Sequence, residues 1–197
     1  KENINKRFLI IPVGIELSQD SHANILIYDK KTNELERFEP NGSTFPYKFN
    51  YNPELLDKLI KDKMISFFEN LKYIKPIDFL PKIGFQLLEA YDHYKTKKIG
   101  DPGGFCGAWC TWYAFMRIKY ENIDRKQLTN KLIRKTKELN IPFKNLIRNF
   151  ANKITNIRDD VLKDAELDIN DWLNANYNKA KLDRLFILMQ QSIKEFS

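Results

Sequence analysis

The sequence predicts an α+β fold, and three of its features support this prediction. Short apolar runs with β-branched residues dominate the segment before residue 40, which is typical of strands. Residues 106–120 are apolar on nearly every face, as expected for a helix buried in a core. From residue 124 onward the apolar residues recur at helical spacing. We therefore expect a mixed sheet packed on one buried helix, followed by helices.

Three consecutive strands are predicted first. Residues 8–17 and 23–29 are apolar runs, and residues 34–39 follow a short polar stretch. The second and third of these strands should form a hairpin. The sequence Pro-Asn-Gly-Ser at 40–43 is typical of a turn and ends the third strand.

The middle of the chain is predicted to hold a helix, a further strand and a glycine-rich loop. Asn52 is a typical N-cap residue, and Pro53 is a typical first residue of a helix. The apolar run at 83–88 predicts another strand. Glycine and proline at 100–104 then break the chain, so the buried helix should begin close to Cys106.

The second half of the chain is predicted to be helical and shows no internal repeat. Its predicted helices share an amphipathic pattern and lie at 127–139, at 142–154, from near Asp168, and at 179–196. A chain of 197 residues, 43% of them hydrophobic, is long enough for one domain with a core. We expect a single domain of residues 1–197, in which 1–123 form the α+β core and 124–197 form a helical extension.

Composition limits the classes of protein to consider. Two cysteines are too few for a disulfide framework or a four-cysteine zinc site, so we expect no cofactor and a reducing, intracellular compartment. No apolar run is long enough to span a bilayer, and the first residues do not resemble a signal peptide. We therefore expect a soluble protein that is not secreted.

The charge of the chain leaves its partners open. A net charge of +7 and a pI near 9.2 would suit contact with nucleic acid through a basic surface. The basic residues are interleaved with acidic ones, however, and lysine, asparagine and isoleucine are abundant throughout, as in proteins from AT-rich genomes. A solvated basic surface without a nucleic-acid partner is the competing interpretation.

Cys106 is the candidate nucleophile. It follows the glycine-rich loop and opens the predicted buried helix, where unpaired backbone N–H groups and the helix dipole favour a thiolate. The structural alternative is a small buried cysteine. Cys110 lies one turn deeper, between two tryptophans, and is interpreted as a core thiol.

A base for this cysteine must be one of the two histidines. His22 begins a predicted strand, whereas His93 lies in a polar segment and is expected to be solvated. Glu39 ends the strand that pairs with the one His22 begins, so the hairpin should bring these two side chains together at one edge of the sheet. A carboxylate there would orient the imidazole. The alternative is a surface glutamate.

These residues resemble those of a known family. The stretch from His22 to Glu39, seventeen residues apart and ending in Phe-Glu-Pro-Asn-Gly, is similar to the His-to-Glu hairpin of the adenain and SUMO-protease family of cysteine proteases (clan CE). Phe105 and Cys106 are followed by glycine, which is similar to the Cys-Gly helix start of the same family. The order His, acid, Cys is also shared. The resemblance covers residues 8–120, and proteins with such motifs also occur in large DNA viruses.

One position departs from the family pattern. Family members carry a glutamine six or seven residues before the cysteine, which donates to the oxyanion, but Ile99 and Gly100 occupy these positions here. Gln86, the nearest upstream glutamine, takes this role if residues 91–99 are an inserted loop. Otherwise Asp101 or its backbone N–H takes it.

The resemblance implies a thiol protease or isopeptidase that cleaves after glycine-rich sequences. Its substrates would be viral structural precursors or proteins conjugated to ubiquitin or its relatives, in the host cytoplasm or in the virion. A smaller alternative is an acyltransferase that passes the same acyl-enzyme to an amine. The rival from another class is a catalytically inactive relative that binds protein or nucleic acid through its helical tail, 124–197, and the missing glutamine favours it.

Overall fold

A computed structural model describes residues 6–18, 20–44, 51–92, 98, 101 and 104–196, with burial of side chains described up to residue 192. Within these residues the chain forms an α+β structure with a four-stranded mixed sheet. The strands, in sheet order, are β1 (Phe8–Glu16), β2 (Ser21–Asp29), β3 (Glu34–Phe38) and β4 (Lys72–Ile74). The helices are α1 (Pro53–Ile65), α2 (Pro76–Phe79), α3 (Phe85–Ala90), α4 (Cys106–Lys119), α5 (Arg125–Glu138), α6 (Phe143–Asp164), α7 (Ile169–Leu173) and α8 (Lys179–Phe196).

The first three strands form the antiparallel part of the sheet, as predicted. β1 pairs with β2, and β2 pairs with β3, with Ile25 opposite Phe38. The hairpin turn between β2 and β3 contains Asn33 at a φ of 54°, a left-handed conformation that asparagine tolerates. The open end of this hairpin places the start of β2 beside the residues that follow β3.

The fourth strand and α3 correct the sequence prediction. We predicted a strand at 83–88, but Phe85–Ala90 form a helix, and the fourth strand is Lys72–Ile74. This strand pairs with β3 in parallel. An apolar run as short as 83–88 does not have a period that distinguishes a strand from a helix.

One face of the sheet is covered by α1, which also makes the crossover from β3 to the parallel β4. Asn52 caps this helix by accepting hydrogen bonds from the N–H groups of Glu54 and Leu55 at 3.0 and 3.1 Å, and Pro53 is its first residue, as predicted. Apolar residues of the helix and of the sheet pack there in one cluster: Leu26, Tyr28, Leu35 and Leu71 with Ile60, Met64 and Phe68.

The opposite face is covered by α4, which begins at Cys106, as predicted. Phe38 of β3 stacks on Tyr113 of this helix, with the ring centroids 4.0 Å apart. The neighbouring residue of β3, Arg37, points the other way, and its Nε donates to the Asp57 carboxylate of α1 at 2.7 Å. Because alternate residues of a strand face opposite sides, β3 contacts α4 on one face of the sheet and α1 on the other.

The chain divides into two compact units, Lys1–Ile147 and Arg148–Ser197. We expected one domain with its helical extension starting at residue 124. The α5 helix belongs instead to the first unit, because its Arg125 forms ion pairs with two glutamates of β3. The Thr129 hydroxyl, one turn later, donates to the backbone carbonyl of Phe79 at 3.2 Å.

The second unit is helical, as the sequence predicts. α6 continues to Asp164, beyond the predicted end at residue 154, and Asp168 caps α7 through the N–H of Asp171 at 2.8 Å. Five buried residues form its core: Val161, Leu162, Ala165, Leu167 and Leu185. In the part of the chain that the structure describes, no helix is both long enough and apolar enough to cross a membrane.

Candidate active site

The His22 imidazole lies at the edge of the sheet where β2 begins, and only 2% of the residue is exposed. Its Nε2 atom contacts both carboxylate oxygens of Glu39, at 2.8 Å to Oε1 and 3.0 Å to Oε2. Glu39 directly follows the last residue of β3. The hairpin therefore brings together the histidine and the glutamate that the sequence analysis paired.

Four further hydrogen bonds hold the Glu39 carboxylate. Oε1 accepts from the backbone N–H and the side-chain amide of Asn41, at 2.9 and 3.0 Å, and Oε2 accepts from the Asn24 amide at 2.9 Å and the Tyr51 hydroxyl at 3.1 Å. Burial alone would raise the pKa of Glu39, but the hydrogen bond and charge of His22, with these donors, hold that pKa below its usual value. The carboxylate is thus kept ionised beside the imidazole.

Cys106 lies at the N-terminus of α4, where Phe105 provides no side-chain cap. Its thiol lies close enough to the His22 imidazole for the two groups to shift each other's pKa values. Since Nε2 of this imidazole faces Glu39, we infer that Nδ1 is the ring nitrogen that faces the sulfur. The unpaired N–H groups of the first helical turn and the helix dipole also favour a negative charge at this position.

The pKa values of this pair shift in opposite directions. Burial alone would raise the pKa of Cys106, but the hydrogen bond and charge of His22 and backbone N–H groups lower it. Burial alone would lower the pKa of His22, but its hydrogen bonds with Cys106 and Glu39 raise it to about 9. Both shifts favour a thiolate beside an imidazolium at neutral pH.

Cys110 lies in a different environment, although it is only one helical turn away. It is 4% exposed, and its Sγ donates to the backbone carbonyl of Ala23 at 3.4 Å. Burial raises the pKa of this thiol well above its usual value. Cys110 is therefore a protonated core thiol, in agreement with the sequence interpretation.

Gln86 lies in the first turn of α3, against the chain that leads into Cys106. A Cβ atom built on Gly104 would lie only 3.1 Å from Nε2 of Gln86, so this amide lies directly on the Gly104 backbone. The Oε1 atom of Gln86 is buried and has no hydrogen-bond partner among the described residues. A buried side-chain amide without its full set of partners is unusual in a folded protein and requires an explanation.

The loop that precedes α3 is joined to the turn that follows β3. The N–H of Gly84 donates to the carbonyl of Asn41 at 2.8 Å, and the N–H of Gln86 donates to the carbonyl of Pro40 at 2.9 Å. A Cβ on Gly84 would lie 2.3 Å from the backbone nitrogen of Gly42, which itself has a φ of 102°. We call this contact of Gly42 with Gly84 the glycine junction. Only glycine fits on either side of it, and it fixes the start of α3 against the end of β3.

Asp101, the other candidate for the oxyanion, is hydrogen-bonded within its own loop. The Asp101 carboxylate accepts from the N–H of Lys98 at 2.9 Å, and the Asp101 N–H donates to the carbonyl of Lys98 at 3.2 Å. The backbone donor proposed for the oxyanion is thus engaged in its own loop. His93 lies outside the described residues. Within the described ranges, no three His, Cys, Asp or Glu side chains are grouped to hold a metal ion.

The sequence analysis missed the groups that surround Glu39. Asn24 follows His22 by two residues in β2, and strand alternation places both on one face, so this contact was accessible to prediction. Asn41 was assigned only to the turn. The same alternation places Arg37, two residues before Glu39, on the face of Glu39. Tyr51 had no signal in the sequence, because it is distant from Glu39 along the chain and meets it only in the folded structure.

Comparison with known proteins gives one informative match. No family model matches this chain. A protein of Acanthamoeba polyphaga mimivirus, named "Putative ankyrin repeat protein L371", is 44% identical over 175 residues, which cover 85% of this chain. The chain spans only 23% of that relative's length. The chain is thus similar to one part of a longer viral protein.

Proposed function

We propose that this chain is a cysteine protease or isopeptidase with an adenain-like core, in which Cys106 is the nucleophile, His22 the base and Glu39 the residue that orients the base. One observation carries the proposal: the buried imidazole lies between a carboxylate, 2.8 Å from its Nε2, and a thiol at a helix N-terminus. A base held by a third group and hydrogen-bonded to a sulfur is the arrangement that activates a thiol nucleophile.

The proposed reaction has two steps. The Cys106 thiolate attacks the carbonyl carbon of the scissile amide, and the His22 imidazolium gives its proton to the leaving amine as the C–N bond breaks, which leaves a thioester. The neutral imidazole then takes a proton from water while the water oxygen attacks the thioester. Cleavage of the C–S bond releases the carboxylic acid and regenerates the thiolate and the imidazolium.

Gln86 is the better supported donor for the oxyanion of both tetrahedral intermediates. Its amide lies against Gly104, two residues before Cys106, whereas the N–H of Asp101 donates to Lys98. The glycine junction holds α3 in this position. We propose that the Gln86 amide and the backbone N–H of Cys106 donate to the oxyanion together.

The substrate would be cleaved after a glycine-rich sequence. This part of the proposal comes from the resemblance to adenain and SUMO proteases and includes both viral precursors and conjugates of ubiquitin-like modifiers. The mimivirus relative supports a viral setting, in which the enzyme would act in the host cytoplasm or in the virion. In the relative, the matching region would be one segment of a longer protein.

Electrophilic probes with a carboxy-terminal glycine test this function. Wild-type protein should form a covalent adduct with a ubiquitin-like propargylamide or with a Gly-Gly peptide vinyl ester, and intact mass and peptide mapping should place it on Cys106. Cys106→Ala should form none. Cys110→Ala is the matched control, since Cys110 is buried and protonated, and it should react like wild type. Absence of an adduct with all such probes in folded wild-type protein would count against the proposal.

The competing function is binding without catalysis. The name of the mimivirus relative favours it, because ankyrin repeats form binding surfaces. This chain shows no internal repeat in its sequence, so it would bind through another kind of surface. A partner captured equally by wild type and Cys106→Ala, with no turnover of that partner, would support binding in place of catalysis.

Nucleic acid is a further candidate partner. The exposed face of α5 carries five cations: Lys126, Lys131, Arg134, Lys135 and Lys137. A phosphate backbone held by such a face should be released as salt increases. Gel retardation of DNA and RNA at several salt concentrations, with Lys131→Glu/Arg134→Glu as the comparison, measures this contact.

A further inference from the structure

We propose that Asn24 is a positioning residue for this site: its amide is oriented by Arg37 and in turn fixes the Glu39 carboxylate toward His22. The inference rests on the proposed function, because positioning has a purpose only if His22 and Cys106 react. It concerns a group of buried polar residues behind Glu39 that the proposed reaction does not use directly.

The direction of the Asn24 amide is determined by its two neighbours. Arg37 Nη1 donates to Oδ1 of Asn24 at 2.5 Å, and Nδ2 of Asn24 donates to Oε2 of Glu39 at 2.9 Å. Because a guanidinium has no acceptor, the amide oxygen must face Arg37 and the NH₂ group must face Glu39. Asn24 and Arg37 are each 2% exposed, so water does not compete for these bonds.

Arg37 is itself held by Asp57 of α1, which is in turn held by β4. Its Nε and Nη2 donate to the two carboxylate oxygens of Asp57 in α1, at 2.7 and 3.1 Å. The Tyr73 hydroxyl of β4 donates to the same carboxylate at 2.7 Å. The closest approach of Arg37 to Glu39 is 4.0 Å, so Asn24 makes the direct connection between them. A continuous series of hydrogen bonds therefore runs from α1 to the candidate base.

This series matters because both oxygens of Glu39 contact Nε2 of His22. If the Asn24 amide is removed, Oε2 loses a donor and the carboxylate gains freedom to rotate away from the imidazole. A less well-oriented carboxylate supports the imidazolium less, and the thiolate of Cys106 is then less favoured. Loss of Asn24 should therefore make Cys106 harder to ionise.

The ionisable groups around Glu39 come from several elements of the fold. Besides His22 and Cys106, the ionisable groups near Glu39 are Arg37, the Tyr51 hydroxyl and the Cys110 thiol. Asp57 and the Tyr73 hydroxyl lie on the far side of Arg37. Burial raises the pKa of both tyrosines and of Cys110 above their usual values. A change in Cys106 titration then reports on His22 and Glu39.

The experiment measures the rate of iodoacetamide alkylation of Cys106 against pH, with the label located by mass spectrometry in the full chain. This readout needs no proteolytic activity. In Asn24→Ala the midpoint should rise by about one pH unit, as expected when a hydrogen bond to a charged group is lost. Glu39→Gln should raise it further.

Asn33→Ala is the matched control. The Asn33 amide also holds a loop, by donating to the carbonyls of Glu69 and Asn70 at 2.8 and 3.0 Å, but it lies at the other end of the hairpin. This variant should lower the thermal stability without moving the alkylation midpoint. If Asn24→Ala does not fold, Arg37→Met/Asp57→Asn frees the Asn24 amide without leaving a buried carboxylate charge, and it should raise the midpoint by a smaller amount.

The outcomes separate the two proposals. If Glu39→Gln moves the midpoint and folded Asn24→Ala does not, the role of Asn24 is overturned and the proposed function stands. Where Asn24→Ala does not fold, the same conclusion follows if the double variant does not move the midpoint. A midpoint that Glu39→Gln does not move overturns both. A rise in Asn24→Ala, with Asn33→Ala unchanged, supports the positioning role.

Discussion

Two buried glutamates, Glu36 in β3 and Glu39 directly after this strand, have different kinds of partner. Glu36 is 2% exposed and faces α4 and α5, where its Oε2 accepts from Arg125 at 2.8 Å and from Arg117 at 3.3 Å. Glu39 is 4% exposed and contacts His22 and neutral amide groups. The cationic partners of Glu36 are permanently charged, whereas the main partner of Glu39 is a histidine, which can gain and lose a proton.

The comparison shows that burial of a charge does not by itself identify a reactive site. Arginine does not release a proton in proteins, so Glu36 is fixed in an ion cluster that joins β3 to α4 and α5. Glu39 instead contacts an imidazole whose pKa also depends on Cys106. A buried carboxylate with a titratable partner, next to a nucleophile, is therefore the feature that suggests chemistry.

The largest effect on activity is expected when Glu39 loses its charge. Glu39→Gln should leave the fold intact but lower kcat/KM by about 10⁴-fold, because a triad without its carboxylate no longer holds the imidazole in the productive state. The measurement is turnover of a fluorogenic substrate with a Gly-Gly carboxy terminus, after circular dichroism has checked the fold. Activity within tenfold of wild type would remove Glu39 from the site.

Glu36→Gln should instead lower stability and leave activity unchanged. It removes the charge that Arg117 and Arg125 share. Arg125 keeps its ion pair with Glu34, but the buried Arg117 loses its carboxylate partner, which should lower the free energy of unfolding by about 3–5 kcal/mol. Urea denaturation measures this loss. The fraction that remains folded should keep the wild-type kcat/KM, and a selective loss of activity instead would show that the two carboxylates do not differ as described.

The next largest effect on activity is expected at Gln86, the proposed oxyanion donor. Gln86→Ala should lower kcat by about 10²–10³-fold with little change in KM, because the amide interacts mainly with the charge of the transition state. Gln127→Ala, at an exposed position of α5, is the control and should have no effect. A Gln86→Ala enzyme with wild-type kcat would return the role to Asp101 or to a backbone N–H alone.

The smallest effect concerns pH. The pKa of Cys106 lies below its usual value, so the fall in activity as acid reprotonates the thiolate should come at a lower pH than the one at which a free cysteine titrates. The pKa of His22 is raised to about 9, so activity should fall again as the imidazolium loses its proton above that pH. A profile of kcat/KM against pH should be bell-shaped with its alkaline limb near 9. An alkaline limb near the unperturbed value of 6.5 would contradict the pairing of His22 with Glu39 and Cys106.

The sequence was sufficient for the parts of the site that depend on local patterns. The hairpin, the start of α4 at Cys106 and the cap of α1 at Asn52 all follow from alternation, turn residues and capping chemistry. The run at 83–88 was assigned wrongly, because backbone bonds to the turn after β3 decide its structure and those partners are distant in sequence. Of the groups around Glu39, only Tyr51 was missed for the same reason, since strand alternation made Asn24 predictable.

The glycine junction has a consequence for how this site tolerates change in chain length. In the family that the sequence resembles, a short fixed stretch of chain sets the distance between glutamine and cysteine. Here the contact of Gly42 with Gly84 would set it through space, by attaching the start of α3 to the turn after β3. The number of residues between Gln86 and Cys106 is then free to vary, and insertions there would leave the distance between the Gln86 amide and the Cys106 sulfur unchanged.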